Sequence, residues 1–385
     1  MRRLLACACC TFGVGVLLPA TASTIAAQQA VTLIPAGSYA ESFGYMNGVR
    51  ELPDGRVMVA DALGQVLVVV DLNRGTADTL GRVGSGPKEY RQPDVVYALP
   101  GDSTLLLDLG NARLTVLGPD FAFGATVSVT QSDGEGMAFV LPRSVDREGH
   151  AYYLQQGVAP GGARPDSGTV MRFERGSGQS TPIGKVKLPE TTESGGQGRR
   201  MIAMRPLSPR DDWAVAADGR VAFVRAADYS VQWVEPDGRV VSGPPNAFKP
   251  VRVGEAEREE WQSDMSRSGV SVSMTATSDG TRSMSMRRGG GGGPPPDASA
   301  ADWPDVAPAF RYGRSVVTPT GDLWVERYVP AGEPPLIDVF DGAGRKRGEF
   351  TLPVGCRVVG FGRGTVYLSR IDADDLQWLE RYRIQ

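Results

Sequence analysis

Six polar side chains recur at equivalent positions of a repeated strand pattern, and their types could support anion chemistry. Each lies where a short apolar strand ends: Asp61, Asp108, Gln155, Arg225, Arg327 and Arg370. The planar guanidinium fork binds carboxylate and phosphate oxygens in pairs, so the three arginines predict a site for an anionic group. The alternative is local, with the aspartates capping turns and the arginines pairing with acids of adjacent loops.

Histidine and metal chemistry is restricted by composition. The chain has one histidine, His150, beside a predicted hairpin turn. A zinc site with three histidine ligands cannot be built, and a Ser-His-Asp triad would need His150 itself. The acidic stretch from Asp372 to Asp375 lacks the glycine and glutamate spacing of an EF-hand loop. The sequence therefore predicts no metal, no cofactor and no catalytic residue, and any catalysis would depend on carboxylates and arginines.

The six positions belong to copies of one unit: an apolar run, a tight turn, an alternating strand, the polar residue and another strand. Turns such as Asp54-Gly55 and Asp218-Gly219 supply positive φ angles at little cost, so each copy predicts a β-hairpin. Three of the five intervals have the roughly 40–50 residues of a propeller blade. The chain is therefore predicted to be all-β, with residues 28–385 forming a six-bladed β-propeller of four-stranded antiparallel blades.

The two ends of the predicted ring must meet. The last repeat lacks a fourth strand, whereas the β-rich run Val31 to Ile34 belongs to no repeat. We expect this N-terminal strand to complete the last blade, because closure removes the free edges of an open array of sheets.

One long interval between repeats carries an insertion over residues 250–310. Gly254 to Met265 has helix-forming composition and predicts a short helix. Residues 266–301 are rich in serine, methionine and glycine, with five consecutive glycines from Gly289 to Gly293. Such a segment buries too little apolar surface to offset its ordering entropy and is predicted to be disordered.

Residues 1–27 have the pattern of a signal peptide. Arg2 and Arg3 precede an apolar run that ends near Leu18, too short for a membrane span, and small residues follow. We expect a periplasmic or extracellular protein. Cys356 alone remains after cleavage, so no internal disulfide is possible. The net charge of -3 gives no basic face for nucleic acid. A monomer without a membrane span is predicted.

The segment Gly81-Arg-Val-Gly-Ser-Gly-Pro-Lys-Glu-Tyr90-Arg-Gln-Pro93, continued to Asn111-Ala-Arg113, resembles the blade junction of NHL-repeat propellers. The resemblance covers about 40 residues of the second repeat. It implies an exported, NHL-like or TolB-like six-bladed propeller. It implies no activity, because this scaffold hosts enzymes, binding proteins and scaffolding proteins.

The function predicted from these features is a non-catalytic module that binds a small anionic ligand or a partner protein. The ligand would lie on the face formed by the loops between second and third strands. The alternative is a histidine-independent lyase or hydrolase that uses carboxylates and arginines at the channel mouth. An enzyme should have a deep pocket with a strongly perturbed acid or base, whereas a binding protein should present a broad polar or aromatic surface.

Overall fold

The computed structural model describes residues 31–132, 137–157, 165–194, 201–276, 282–289 and 302–385. These residues form six four-stranded antiparallel sheets, which confirms the predicted six-bladed propeller. The predicted signal peptide, residues 1–27, lies outside the described residues.

Each blade is one meander of four strands, numbered here in chain order. Blade 1 contains Val49–Glu51, Val57–Asp61, Val66–Asp71 and Thr76–Thr79; blade 2 contains Pro93–Ala98, Thr104–Asp108, Arg113–Leu117 and Phe123–Ser128; blade 3 contains Ser144–Val145, Ala151–Gln155, Ser167–Glu174 and Gln179–Lys187. Blade 4 contains Asp212–Val215, Val221–Arg225, Ser230–Val234 and Val240–Ser242; blade 5 contains Val316–Val317, Leu323–Glu326, Leu336–Phe340 and Lys346–Thr351; blade 6 contains Cys356–Phe361, Thr365–Ile371, Gln377–Ile384 and Leu33–Phe43.

Four shorter strand pairs and one helix lie between these sheets in the described part of the chain. The pairs are Arg82–Val83 with Glu89–Tyr90, Thr130–Ser132 with Met137–Phe139, Thr191–Ser194 with Met201–Met204, and Val270–Ala276 with Arg282–Arg288. The helix, Glu255–Ser268, is polar and has no buried residue. No helix in the described ranges is long and apolar enough to cross a membrane.

The first strands of successive blades contact one another, from blade 6 through blade 1 to blade 5, and so surround a central channel. Blades pack face to face, because alternate side chains of each strand point to opposite faces of its sheet. One apolar cluster joins blades 6 and 1 and another joins blades 1 and 2. Trp213 and Trp233 are among the largest fully buried side chains. The first strands therefore lie between the channel and the apolar clusters that join neighbouring blades.

The ring closes as expected, although with a longer strand than the sequence indicated. Leu33–Phe43 pairs antiparallel with Gln377–Ile384 and forms the outer strand of blade 6. Tyr39 and Phe43 are buried in the cluster that joins blades 6 and 1. Strand pairing and the burial of these two aromatic side chains thus both stabilise the closed ring.

The insertion between blades 4 and 5 is more ordered than its composition predicted. The helix confirms the expectation for Gly254 to Met265, and the Glu257 carboxylate accepts a hydrogen bond from the Gly254 N–H at 2.9 Å. The disorder predicted for residues 266–301 is wrong for two described stretches, since Val270–Ala276 and Arg282–Arg288 form a hairpin. Residues 277–281 and 290–301 lie outside the described residues.

The hairpin is held by partners that composition alone cannot reveal. Met286 is fully buried in a cluster with apolar residues of blade 2. The Arg288 guanidinium forms an ion pair with Asp94, with Nη2 and Oδ2 at 2.8 Å. The segment therefore gains its order from the propeller surface rather than from its own apolar content.

The glycine-rich junction before blade 2 is a structural device. The Asn111 amide donates to the Gly84 carbonyl at 2.9 Å and to the Asp108 carboxylate at 2.7 Å. The Arg113 guanidinium donates to the Glu89 carbonyl at 2.6 Å. The residues that carry the family resemblance thus connect the junction to the loop after the second strand.

Phe43→Ala tests the closure. Phe43 is 5% exposed, so removing its ring should lower the free energy of unfolding by about 3–5 kcal/mol through lost burial and the cavity left behind. Urea unfolding measures the change. Ala40→Ser, at an exposed site of the same strand, should change it by less than about 0.5 kcal/mol. Equal effects of the two substitutions would contradict packing of this strand.

Candidate functional site

The two predicted aspartates serve the loops in which they lie. Asp61 is 3% exposed, and its carboxylate accepts hydrogen bonds from the backbone N–H groups of Gly44, Tyr45, Leu63 and Gly64 at 2.7–3.1 Å. Asp108 is fully buried and accepts from the N–H groups of the corresponding residues of blade 2. These contacts correspond to the local alternative, turn capping.

The three predicted arginines each have a carboxylate partner in their own part of the ring. Arg225 pairs with Asp211 at 2.9 Å, and Arg370 pairs with Glu380 at 2.7 Å. Arg327 lies 3.8 Å from the Asp338 carboxylate and 3.9 Å from that of Glu349. Pairing with acids is thus the local alternative, although Asp338, Glu349 and Glu380 lie in strands rather than in loops.

The structure does not bring the six predicted residues together. Gln155 ends the second strand of blade 3, paired with Thr169, and the other five occupy the same strand-end level in their blades. These positions lie one strand farther from the axis than the channel wall. None of the six is among the described residues that line the two central cavities. Binding of an anion by Arg225, Arg327 and Arg370 stays a prediction.

The central channel contains two adjoining cavities. The outer cavity, of about 390 Å³, is also bordered by the insertion helix, and the inner cavity, of about 430 Å³, lies among the first strands. Six residues line both cavities: Asn47, Arg143, Arg288, Gly313, Arg314 and Arg357. These shared residues form the boundary between the cavities.

The boundary arises from the repeat. Every blade places a polar residue within two positions of the start of its first strand, and antiparallel pairing puts that start on the face where second strands end. These residues are Asn47, Asp94, Arg143, Arg210, Arg314 and Arg357. Arg288 comes from the hairpin of the insertion and Arg311 from the segment before blade 5. We call Arg143, Arg210, Arg288, Arg311, Arg314 and Arg357 the arginine cluster.

Four members of the arginine cluster have carboxylate partners. Arg288 pairs with Asp94, and Arg143 pairs with the buried Asp212 at 2.6 Å. The others share carboxylates from the insertion helix and blade 5: Arg311 with Glu260 at 2.8 Å, Glu326 at 3.5 Å and Asp264 at 3.7 Å, and Arg314 with Asp264 at 3.8 Å. Burial alone would raise the pKa of Asp264, yet Arg314, Arg311 and Arg267 hold it below its ordinary range. The local potential is therefore positive.

The other two members have no such partner. Neither Arg210 nor Arg357 forms an ion pair with a carboxylate of the described residues. Arg357 is 7% exposed and donates hydrogen bonds to the Met46 carbonyl and, at 3.4 Å, to the Gln377 amide oxygen. Burial, together with Arg314 and Arg288, lowers the pKa of Arg357 to about 10. The group remains charged at neutral pH without a compensating anion.

Arg210 is in a similar electrostatic position. Its guanidinium carbon lies 3.6 Å from the centre of the Tyr312 ring, and its Nη1 lies 3.7 Å from the Met204 sulfur. Burial lowers the pKa of Arg210 below the ordinary arginine value. Both arginines line the outer cavity, where Asn47 and the tyrosines Tyr45, Tyr312 and Tyr328 supply further polar groups. The site can therefore accept negative charge.

One carboxyl group in the channel has a raised pKa, in contrast to the lowered pKa of Asp264. Glu326 ends the second strand of blade 5, lines the inner cavity and is 7% exposed. Burial raises the pKa of Glu326 above its ordinary value, although Arg314 and Arg311 act against the rise. Glu326 is thus a carboxyl group of the inner cavity whose protonated form is favoured by burial.

The sequence contained a signal for part of this site. Arg143, Arg314 and Arg357 lie at similar distances before or within the first strand of their repeats. Aligning the repeats on the end of the second strand instead selected Asp61, Asp108, Gln155, Arg225, Arg327 and Arg370, which do not line the two cavities. Arg288 had no such signal, because it lies in the insertion.

Comparisons with known proteins found only distant likenesses, to solved structures. No family model and no curated protein matches the chain. Solved structures that resemble it include the calcium-binding protein regucalcin from Agrobacterium tumefaciens (13% identity, 91% of this chain and 95% of that chain, TM-score 0.41). A gluconolactonase from Xanthomonas campestris has 12% identity, with 92% of this chain and 95% of that chain covered and a TM-score of 0.42. Virginiamycin B lyase from Staphylococcus aureus has 10% identity, with 92% of this chain and 89% of that chain covered and a TM-score of 0.38.

In the described ranges, no group of three or more His, Cys, Asp or Glu side chains is placed so that it could hold a metal ion. The described site is one of guanidinium, phenol, amide and carboxyl groups.

Glu326→Gln tests the perturbed carboxyl. With its pKa raised, folded Glu326 keeps a proton that the unfolded chain loses near pH 4.3, so the stability of the natural protein falls as pH rises from there through the folded pKa. Glutamine removes this slope. The free energy of unfolding of the variant relative to the natural protein should therefore increase with pH in that window, measured by urea unfolding.

Glu333→Gln is the control, because Glu333 is exposed in the same blade. The same pH slope in both variants would contradict a raised pKa at Glu326.

Proposed function

We propose that the protein is a binding module for a small organic anion, held in the outer cavity by the arginine cluster. The observation that carries the proposal is the pair Arg210 and Arg357, two guanidinium groups that line the same cavity and have no carboxylate partner among the described residues. A buried charge without a counter-charge is costly, and an anionic ligand offsets that cost.

The shape and chemistry of the cavity suit a small ligand. A volume of about 390 Å³ lies in the range of small-molecule sites. Guanidinium groups bind carboxylates through paired hydrogen bonds, and Asn47 and Tyr312 can complete the recognition of other oxygens. Arg311 forms an ion pair with Glu260 at 2.8 Å, whereas Arg314 is 3.8 Å from the Asp264 carboxylate and so adds positive potential to the site.

The cellular setting is part of the proposal. The leader pattern of residues 1–27 supports export, and the repeat pattern around Gly81 to Arg113 supports placement among NHL-like propellers. An exported binding module would meet its anion in the periplasm or outside the cell.

A catalytic function is the second candidate, favoured by Glu326. A carboxyl with raised pKa, 3.5 Å from the Arg311 guanidinium, could donate a proton to a bound anion as general acid in a lyase or hydrolase reaction. Turnover that is lost in Glu326→Gln while ligand affinity is kept would establish it. Binding of anions without turnover of any compound in a substrate panel would exclude catalysis and support the binding module.

Arg357→Met tests the binding proposal directly. Titration calorimetry with acetate, succinate, citrate and inorganic phosphate should find at least one ligand for the natural protein. Loss of a charge-assisted hydrogen bond should weaken that ligand about tenfold or more. The same ligand should raise the melting temperature of the natural protein more than that of the variant.

Arg370→Met is the matched control, since it removes the same charge from the same blade but from a residue paired with Glu380. It should leave affinity unchanged. Arg210→Met provides a second test if Arg357→Met fails to fold, which circular dichroism would show. Equal weakening by the Arg357 and Arg370 variants, or no binding of any probe to the natural protein, would contradict the proposal.

A further inference from the structure

The inner cavity differs in chemistry from the outer one. Its volume is about 430 Å³, and its wall includes one valine from each of five blades, Val49, Val95, Val215, Val317 and Val359, together with Leu141 from the segment before blade 3. All four arginines of the wall lie at the boundary shared with the outer cavity, whereas Asp94 and Glu326 line the inner cavity alone. An anion at that boundary therefore lies beside the arginines and next to the six apolar side chains.

We propose that the ligand is an amphipathic organic acid, with its carboxylate at the boundary and its apolar part in the inner cavity. This inference rests on the proposed function and adds the class of ligand. Arg143, Arg314 and Arg357 line both cavities, so a carboxylate beside them is within reach of cations while its chain extends between the valines. Burial of the chain removes apolar surface from water and favours binding.

Buried donors without an acceptor support the position of the carboxylate. Arg143 Nη2, Trp213 Nε1 and Ser315 Oγ have no hydrogen-bond partner among the described residues, and all three residues line the inner cavity. Trp213 is 1% exposed and Ser315 is 3% exposed. Such donors destabilise a folded protein unless an acceptor is supplied.

These donors belong to one neighbourhood. Arg143 Nη1 donates to one oxygen of Asp212 at 2.6 Å, and the Ser315 N–H donates to the other at 3.1 Å. The Arg143 guanidinium carbon lies 5.0 Å from the centre of the Trp213 ring. A carboxylate on this side of the boundary supplies acceptors for groups that the protein leaves without one.

A series of linear acids tests the apolar part. Acetate, butanoate, hexanoate and octanoate would be titrated into the protein, followed by calorimetry and by the fluorescence of Trp213 and Trp324, which line the inner cavity. Affinity should rise about fourfold for each buried methylene until the cavity is filled. The neutral 1-octanol should bind at least about tenfold more weakly than octanoate, because it lacks the charge that the arginines recognise.

Substitutions at Val317, a half-buried residue of the inner wall, test the location. Val317→Phe should reduce octanoate affinity to about that of acetate, and Val317→Thr should weaken octanoate several-fold with acetate unchanged. Val354→Thr, at a 58% exposed valine, should change neither. Ser315→Ala should weaken all acids without lowering the melting temperature of the free protein, since its hydroxyl has no partner to lose.

The outcomes separate the two proposals. Equal affinity for acetate and octanoate, with loss in Arg357→Met, would overturn the amphipathic ligand and leave the anion-binding function. Binding of 1-octanol as tight as that of octanoate would overturn the role of the arginines. Unchanged affinities in Ser315→Ala would overturn the placement of the carboxylate beside Asp212. Absence of binding by every acid would overturn both proposals.

Discussion

Antiparallel pairing between Leu33–Phe43 and Gln377–Ile384 joins blade 6 to the start of the ring, and the central channel depends on this closure. The first strands of the six blades can face one axis only if the blades form a closed circle. Met46, just after the closing strand, donates a hydrogen bond to Gln377, 331 residues away, and Gln377 in turn contacts Arg357. The contacts that close the ring thus also support one wall of the candidate site.

Two populations of arginine show how position changes the consequence of one side chain. At the second-strand ends, Arg225 and Arg370 pair with carboxylates at 2.9 and 2.7 Å, and their charges are compensated locally. One strand closer to the axis, Arg210 and Arg357 are held by stacking, sulfur and carbonyl contacts instead. Burial lowers the pKa of both, which reflects an uncompensated charge. The difference favours a ligand at the axis.

The sequence predicted the architecture well because hairpin turns are local. Asp54-Gly55 and Asp218-Gly219 determine where strands reverse, and the spacing of such turns determines the number of blades. The site was harder to predict, because second-strand ends and first-strand starts lie on the same face and differ only in distance from the axis. The order of the Arg282–Arg288 hairpin was also unpredictable from composition. Its partner Asp94 lies 194 residues before Arg288, and the buried apolar residues around Met286 come from Val95 to Val129.

The insertion attaches to the propeller between blades 4 and 5, yet it places Asp264 and Arg288 in the channel wall and reaches Asp94 of blade 2. Changes in this one segment can therefore alter the charge and width of the channel mouth without disturbing a hairpin turn or the packing between blades. The lining of the channel mouth thus has two sources, the first strands of the blades and one loop segment. Loops on a rigid framework tolerate change more readily than the strands that they connect, so the insertion is the part of this lining that can vary with least effect on the propeller.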